Sequence, residues 1–255
     1  MIDTGYLFSN EPDRLFINTS LGCTANCSYC YLPILKYSKG KKLDTYITAS
    51  EIIEQIKLYD GFKEGKDGTL ISFGCYSECW DEQNKPQTIE LIKYFLEKGN
   101  QIQLSTKKYI DYKDLINIKN FIKYYGQLTI FISSATISEW DKFEKGTTEP
   151  TERFKSFEIS NKLNIPVVLY IKLVLYNITL KDVDKYVEVI KKYDIKNVVV
   201  GSIIKTNGTG EVAPFVNDNS MHTEPIEQEK TIIKSLSTVS NVYTKSIHVL
   251  KHLEK

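Results

Sequence analysis

No apolar run in this chain of 255 residues approaches the roughly 20 residues that a bilayer-spanning helix needs. The opening MIDTGYLFSNEPDR lacks the charged and apolar regions of a secretory leader, so a cytoplasmic protein with no membrane partner is expected. Charge of one sign is missing too: 33 Lys and Arg stand against 32 Asp and Glu, a formal net charge of +1. That balance excludes the whole-surface footprint of a nucleic-acid binder and leaves only a local basic groove. Histidine is scarce, and His222, His248 and His252 all lie far along the chain. Cysteine is scarce and odd in number, five residues, so full pairing within one chain is impossible. In a reducing compartment, closely spaced cysteines are more often metal ligands or redox groups than structural disulfides. No internal repeat or low-complexity segment stands out.

What is present is an ordinary globular composition, 42% hydrophobic and 25% charged. Runs rich in β-branched residues predict six strands: LFINTS at 15–20, TLISFG at 69–74, IQLST at 102–106, LTIFISS at 128–134, PVVLYIKLVL at 166–175 and NVVVGSII at 197–204. Amphipathic segments fall between them, from Ser50, from Pro86, from Asp111, over Pro150 to Leu163 and over Leu180 to Tyr193. Thr48 and Glu51 form a capping-box pattern, Pro86 suits a first helical position, and Gly99 suits a C-cap. Regular alternation of strand and helix implies parallel pairing with right-handed crossovers, an α/β fold. Six units suit a partial (β/α)6 TIM-like barrel better than a closed eight-unit one. Residues 1–205 are expected to form this barrel. Residues 206–255 are expected to pack on it as a C-terminal extension, loop-like from Lys205 to Pro225 and helical from about Ile226.

The stretch LGCTANCSYCYLP, Leu21 to Pro33, places Cys23, Cys27 and Cys30 directly after the first strand. That is the carboxyl edge of a parallel sheet, where α/β proteins put ligands and catalytic groups. A structural zinc site normally takes four protein ligands, usually as two separated pairs, and no second pair matches here. Three thiolates in this spacing suit a [4Fe-4S] cluster with one iron left open to an exogenous ligand. Zinc binding and redox use are the alternatives.

CTANCSYC, with an aromatic residue just before the last cysteine, resembles the signature of the radical S-adenosylmethionine (SAM) superfamily. The resemblance implies a [4Fe-4S] cluster on Cys23, Cys27 and Cys30, SAM at the open iron, and reductive cleavage of SAM to a 5′-deoxyadenosyl radical. It also implies a reductant such as flavodoxin or ferredoxin, and a barrel of the type read above.

Four further segments resemble the spore photoproduct lyase group of that superfamily. In CSYCYL, Tyr29 is implied to line the cluster and SAM, and Tyr31 to relay a hydrogen atom; simple packing of the loop is the alternative for Tyr31. ISFGCYSE, at 71–78, implies Cys75 as a hydrogen-atom donor, Ser77 as a SAM contact and Glu78 as the partner of the SAM amine. Here Tyr76 replaces a small hydroxyl residue, and Cys79 and Trp80 replace the residues after the acid, which leaves the loop path open. Cys75 as a buried small hydrophobe is one alternative. Cys75 and Cys79 holding an auxiliary cluster is another, for which two cysteines are too few.

LSTKK, at 104–108, implies Lys107 at the SAM carboxylate with Ser105 and Thr106 nearby, against a plain exposed lysine. FISSATISEWDKFEKGTTEPTERF, from Phe131, implies Ser133 as a SAM contact, while Glu144, Gly146 and Arg153 shape the following loop; a structural ion pair is the alternative for Glu144 and Arg153.

Two departures matter. Only 22 residues precede Cys23, where the family proper has a substantial region, and the family's carboxyl-terminal DNA hairpin has no clear counterpart after residue 205. The substrate, whether nucleic acid, nucleotide or small molecule, is therefore not inherited. A non-catalytic iron-sulfur or zinc protein and a strict DNA photoproduct repair lyase remain the competing functions.

Overall fold

The computed structural model describes residues 2–11, 13–43, 45–201, 203–206, 221–224 and 226–253. Its centre is one eight-stranded sheet. The six runs read from sequence become β2 (Arg14–Ile17), β3 (Leu70–Phe73), β4 (Ile102–Thr106), β5 (Leu128–Ser133), β6 (Val167–Ile171) and β7 (Asn197–Val200). They lie side by side in sequence order, every neighbouring pair parallel. The order is linear, so the sheet stays open as a partial barrel.

Two strands of this sheet were not foreseen. β1 (Leu7–Glu11) pairs antiparallel with β2 at one edge, and β10 (Asn241–Tyr243) pairs parallel with β7 at the other. LFSNE is too polar and NVY too short to announce a strand by pattern. Between them in the chain, β8 (Ile203–Thr206) pairs antiparallel with β9 (Met221–Glu224), so a two-stranded pair takes the end of the run 197–204 and part of the stretch that reads as loop. KT and MHTE carry no apolar alternation to mark it. The intervening residues, and so the centre of the loop-like stretch, lie outside the described residues.

The crossover helices are α1 (Ala49–Lys57), α2 (Lys85–Lys98), α3 (Tyr112–Lys119), α4 (Glu158–Leu163) and α5 (Val183–Tyr193). Thr48 and Glu51 close a reciprocal capping box on α1, and Gly99 ends α2 in the left-handed conformation at φ +90°. Pro86 is the second residue of α2, not its first. The α3 pattern stops at Lys119, short of Tyr125, and Pro150 to Leu163 forms a helical turn, a 3-10 turn and then α4. Two more helices follow β7, α6 (Glu227–Leu236) and α7 (Ser246–Leu253).

Alternation along the strands sorts side chains to two faces. Ile71, Leu104, Ile130, Leu169 and Val198 join the main core with the crossover helices. On the opposite face, Leu70, Phe131, Val168 and Val199 pack against Val249 and Leu250 of α7. Toward the carboxyl ends that face turns polar, with Ser72, Gln103, Ser105 and Ser133 lining a cavity. The last helix thus plugs the amino end of the inner face and leaves the carboxyl end open. Among the described residues no helix is long and apolar enough to cross a membrane.

Candidate active site

The cysteine loop is fastened to the loop after β3. Asn18 accepts from the Tyr76 N–H at 2.6 Å, and Gly22 N–H donates to the Tyr76 carbonyl at 3.0 Å. Buried Asn84 joins Thr19 and Ser20 to the Glu78 carbonyl, at 2.7, 3.0 and 3.0 Å. Gly22 sits at φ +124°, and a Cβ there would stand 2.7 Å from the Ser38 carbonyl oxygen, so the turn into Cys23 requires glycine. Gly74 is as constrained: at φ +88° its Cβ would stand 2.1 Å from the Ser105 oxygen, which fixes the approach to Cys75.

Cys23, Cys27 and Cys30 are free thiols that line one cavity of about 900 Å³. Burial pushes Cys27 up to about 12, with Lys107 pulling the other way, and burial also raises Cys23 and Cys30. Each therefore gives up a proton on binding a metal. Among the described residues no three His, Cys, Asp or Glu side chains converge tightly enough for a single metal ion. Three thiols around one cavity could hold an iron-sulfur cluster.

The carboxyl ends of successive strands supply the rest of the wall. Glu78 accepts from Thr106 Oγ1, from the Lys107 N–H at 2.9 Å and from the Trp80 N–H at 3.2 Å. Ser77 Oγ is buried on the cavity with no hydrogen-bond partner among the described residues. Lys107 donates from Nζ to Ser133 Oγ, and Nζ lies 3.2 Å from Glu144 Oε1 and 5.7 Å from the centre of the Tyr29 ring. Ser105 Oγ accepts from Gln103 Nε2 at 3.1 Å.

Beneath this wall Glu144 and Arg153 form an ion pair with both side chains 0% exposed, Nη1 to Oε2 2.9 Å. Arg153 also donates to the carbonyls of Ser133 and Thr148 and to Thr147 Oγ1. Glu144 accepts from Tyr29 Oη and, at 3.1 Å, from the Ala135 N–H. Burial alone would raise the Glu144 carboxyl, but Lys107 and Arg153 outweigh it and hold the group at about 2. Tyr29 goes the other way, driven well above the ordinary phenol range by burial and then by Glu144.

On the far side of the cysteine loop, the Tyr31 hydroxyl donates to the Cys75 carbonyl and lies 3.6 Å from Cys75 Sγ. Burial pushes the Cys75 thiol up to about 11 while Tyr31 pulls it down. Tyr76, whose bulk left the loop path open, stacks on Phe8, which stacks on Phe16, both at 4.6 Å between ring centres. Cys79 does not face the cavity: it is buried in the core with Sγ 3.3 Å from the Ser105 carbonyl oxygen. An auxiliary cluster on Cys75 and Cys79 has no support in this placement.

The structure thus brings Cys23, Cys27, Cys30, Tyr29, Tyr31, Cys75, Ser77, Glu78, Ser105, Lys107 and Ser133 to one cavity. Sequence reasoning missed Arg14, Gln103 and Lys172 from the inner face, and Lys230, Lys245 and Ser246 from the C-terminal segment. Alternation in IQLST and LTIFIS is a signal for the inner-face polar layer; nothing local marks the C-terminal residues.

Spore photoproduct lyase complexed with a dinucleoside spore photoproduct superposes with a TM-score of 0.63 at 13% identity, over 95% of this chain and 80% of that one. SuiB of Streptococcus suis bound to S-adenosylmethionine superposes with a TM-score of 0.60, also at 13% identity, over 92% of this chain and 51% of that one. The chain therefore spans about half the length of SuiB. No curated protein sequence matches the chain. The family model described as the Radical SAM superfamily matches residues 17–201. That match covers well over half of the chain, from the end of β2 to just past β7, and with it the chain belongs to the radical SAM superfamily of enzymes.

Proposed function

We propose that this enzyme holds a [4Fe-4S] cluster on Cys23, Cys27 and Cys30, binds SAM at the iron left open, and cleaves it reductively to a 5′-deoxyadenosyl radical that abstracts hydrogen from a substrate. What carries this reading is the convergence of three thiols with Ser77, Glu78, Lys107 and Ser133 on a single cavity. A structural metal site has no use for the second set.

Glu78 is held by three donors yet still faces the cavity, so its orientation is fixed in advance for an ammonium group. Lys107 offers its ammonium to a carboxylate while Ser133 and Glu144 hold its position. Ser77 Oγ, buried and without a partner among the described residues, is completed by a ligand. Tyr29 covers the cysteine loop and is pinned through Glu144, which Arg153 neutralises. The apolar lining from Phe16, Leu32 and Leu173 keeps water from the reacting carbon. Burial keeps the Cys75 thiol protonated, so its S–H hydrogen would go to a product radical; the Tyr31 O–H would restore the S–H, and the phenoxyl so formed would take its hydrogen back from 5′-deoxyadenosine.

An electron donor such as flavodoxin or ferredoxin supplies the reducing electron. Anaerobic reconstitution tests the metal assignment: about four irons and four sulfides per chain are expected, lost on changing any one of the three cysteines. One zinc per chain with no sulfide would replace the reading with a structural site.

A second reading, repair of a DNA photoproduct in the strict sense, is favoured by the antiparallel pairing of β8 with β9 directly after β7. Turnover of an irradiated oligonucleotide tests it, and absence of product with fully loaded enzyme rejects it.

A further inference from the structure

The cysteine loop has an outer side as well as the one that meets the cavity. Cys27 is buried on the cavity while its chain neighbours Asn26 and Ser28 are exposed, so alternation puts the thiol inside and two polar side chains outside. Two segments flank the loop. Gly22 and Cys23 pair in parallel with Ser38 and Lys39, and the Gly40 N–H donates to the carbonyls of Cys23 and Ala25 at 2.9 and 2.8 Å. Asn26 and Cys27 pair antiparallel with Lys145 and Glu144, and the Ser28 N–H donates to the Phe143 carbonyl at 2.9 Å. Lys39 donates from Nζ to the Cys27 carbonyl at 2.6 Å, so its ammonium is engaged by the loop itself.

That outer side is basic. No Asp or Glu occurs from Arg14 to Leu43, although 32 of the 255 residues are acidic. Lys36, Lys41, Lys42 and Lys145 are exposed, and none of them makes a hydrogen bond or an ion pair with a described residue. Gly40 crosses Asn26 so closely that a Cβ would stand 2.9 Å from the Asn26 Cβ, which places Lys41 and Lys42 on one side of Asn26 and Lys145 on the other. Carboxylates in contact with this region are already engaged. Glu144 is buried against Arg153, and buried Asp81 accepts from Thr24 Oγ1 at 3.4 Å and from the Asn84 N–H at 2.9 Å. The turn before Glu144 carries Asp141 and the pair of Lys142 with Glu139 at 3.7 Å, so the basic side ends there. Asp44, which follows the lysine run, lies outside the described residues. Ile34, 39% exposed, adds an apolar spot in the turn that leads to Lys36.

A basic surface that backs the cysteines and faces away from the cavity suits a partner that deals with the metal and not with the substrate. A nucleic acid, as substrate, has to reach the cavity instead. Attraction between opposite patches speeds encounter without requiring a tight complex, which fits a carrier that leaves after each electron. We propose that this outer side, with Lys41, Lys42 and Lys145 at its centre, is the docking face of a small acidic one-electron carrier protein. The inference deepens the proposed function and rests on it for the cluster at the three cysteines. With a flavin carrier, the hydroquinone gives up one electron and becomes the semiquinone, that electron reduces the cluster, and no atom changes hands.

Flavodoxin photoreduced to its hydroquinone and mixed anaerobically with the reconstituted protein is the test, followed at the semiquinone absorbance. Lys41→Glu combined with Lys42→Glu should slow the transfer about tenfold or more, and Lys145→Glu should slow it in the same direction. Raising salt from about 20 mM to about 300 mM should slow the wild type far more than these variants. Lys191→Glu, on the exposed side of α5, leaves the rate unchanged. Dithionite, a small reductant that needs no docking face, reduces all of them alike. If Lys145→Glu, beside Glu144, fails to take up iron, the paired change at Lys41 and Lys42 carries the test. Flavodoxin rates indifferent to both charge reversal and salt overturn the proposal. So does a single-stranded oligonucleotide that binds through these lysines where flavodoxin does not. Dithionite-driven formation of 5′-deoxyadenosine separates the two ideas. Its presence beside indifferent flavodoxin rates sinks this inference alone. A protein that takes up no iron sinks the proposed function, while oxidised flavodoxin that still binds it, weakened by salt and by the same charge reversals, keeps the docking face.

Discussion

The Tyr31 hydroxyl stands 3.6 Å from Cys75 Sγ while donating to the carbonyl of the same residue. The contact bridges the cysteine loop and the loop after β3, so one phenol ties the segment of the three cysteines to the thiol. Cys75→Ala should leave iron content and SAM cleavage near wild type while altering the products or their rate of release. Tyr31→Phe should leave the first turnover intact and slow later ones, read by single- against multiple-turnover assays. Loss of iron on changing Cys75 would remove it from the donor role.

Ser77 gives a prediction of opposite signs. Its Oγ is buried without a partner among the described residues, so Ser77→Ala relieves an unsatisfied group and should keep or raise the stability of the ligand-free protein by about 1 kcal/mol. The same change should weaken SAM binding severalfold. Denaturant midpoints and equilibrium dialysis measure the two effects, and a variant that is destabilised with SAM affinity unchanged would contradict the role.

Glu78→Gln and Lys107→Met should retain the cluster and lose SAM affinity by at least about tenfold, since each removes a charge-assisted contact. Lys107 also faces Glu144, so a cluster-content assay must accompany the binding assay.

The buried pair of Glu144 and Arg153 predicts both a mutational and a pH effect. Arg153→Met leaves a buried carboxylate with only Lys107 opposite and should cost about 3–5 kcal/mol in urea unfolding. Glu144 is held at about 2 in the folded protein against an ordinary value of 4.5. Its contribution, on the order of 3 kcal/mol, is fully present above pH 4.5 and is lost as pH falls toward 2. Unfolding midpoints between about pH 6 and about pH 3 should therefore fall more steeply for the wild type than for Glu144→Gln. Equal slopes would contradict the ion-pair account.

Much of this arrangement was legible because consecutive parallel strands bring their carboxyl ends to one edge. Cys23, Cys75, Lys107 and Ser133 each follow or close a strand whose β-branched run is visible in the sequence. The sheet edges were not legible: β1 is polar, and β10 has three residues and draws its strand character from pairing with β7. Lys230, Lys245 and Ser246 carry no local mark either. Their place at the cavity depends on where α6 and α7 pack across the sheet, a tertiary outcome of Leu236, Val249 and Leu250 finding the core. Cys79 shows the converse, a cysteine near the motif that packs as an apolar side chain.

The most direct test of the central claim is anaerobic incubation of the reconstituted protein with dithionite and SAM, followed by quantification of 5′-deoxyadenosine. The account predicts 5′-deoxyadenosine from the wild type and none from variants lacking Cys23, Cys27 or Cys30. A fully loaded wild-type protein that leaves SAM intact would contradict it.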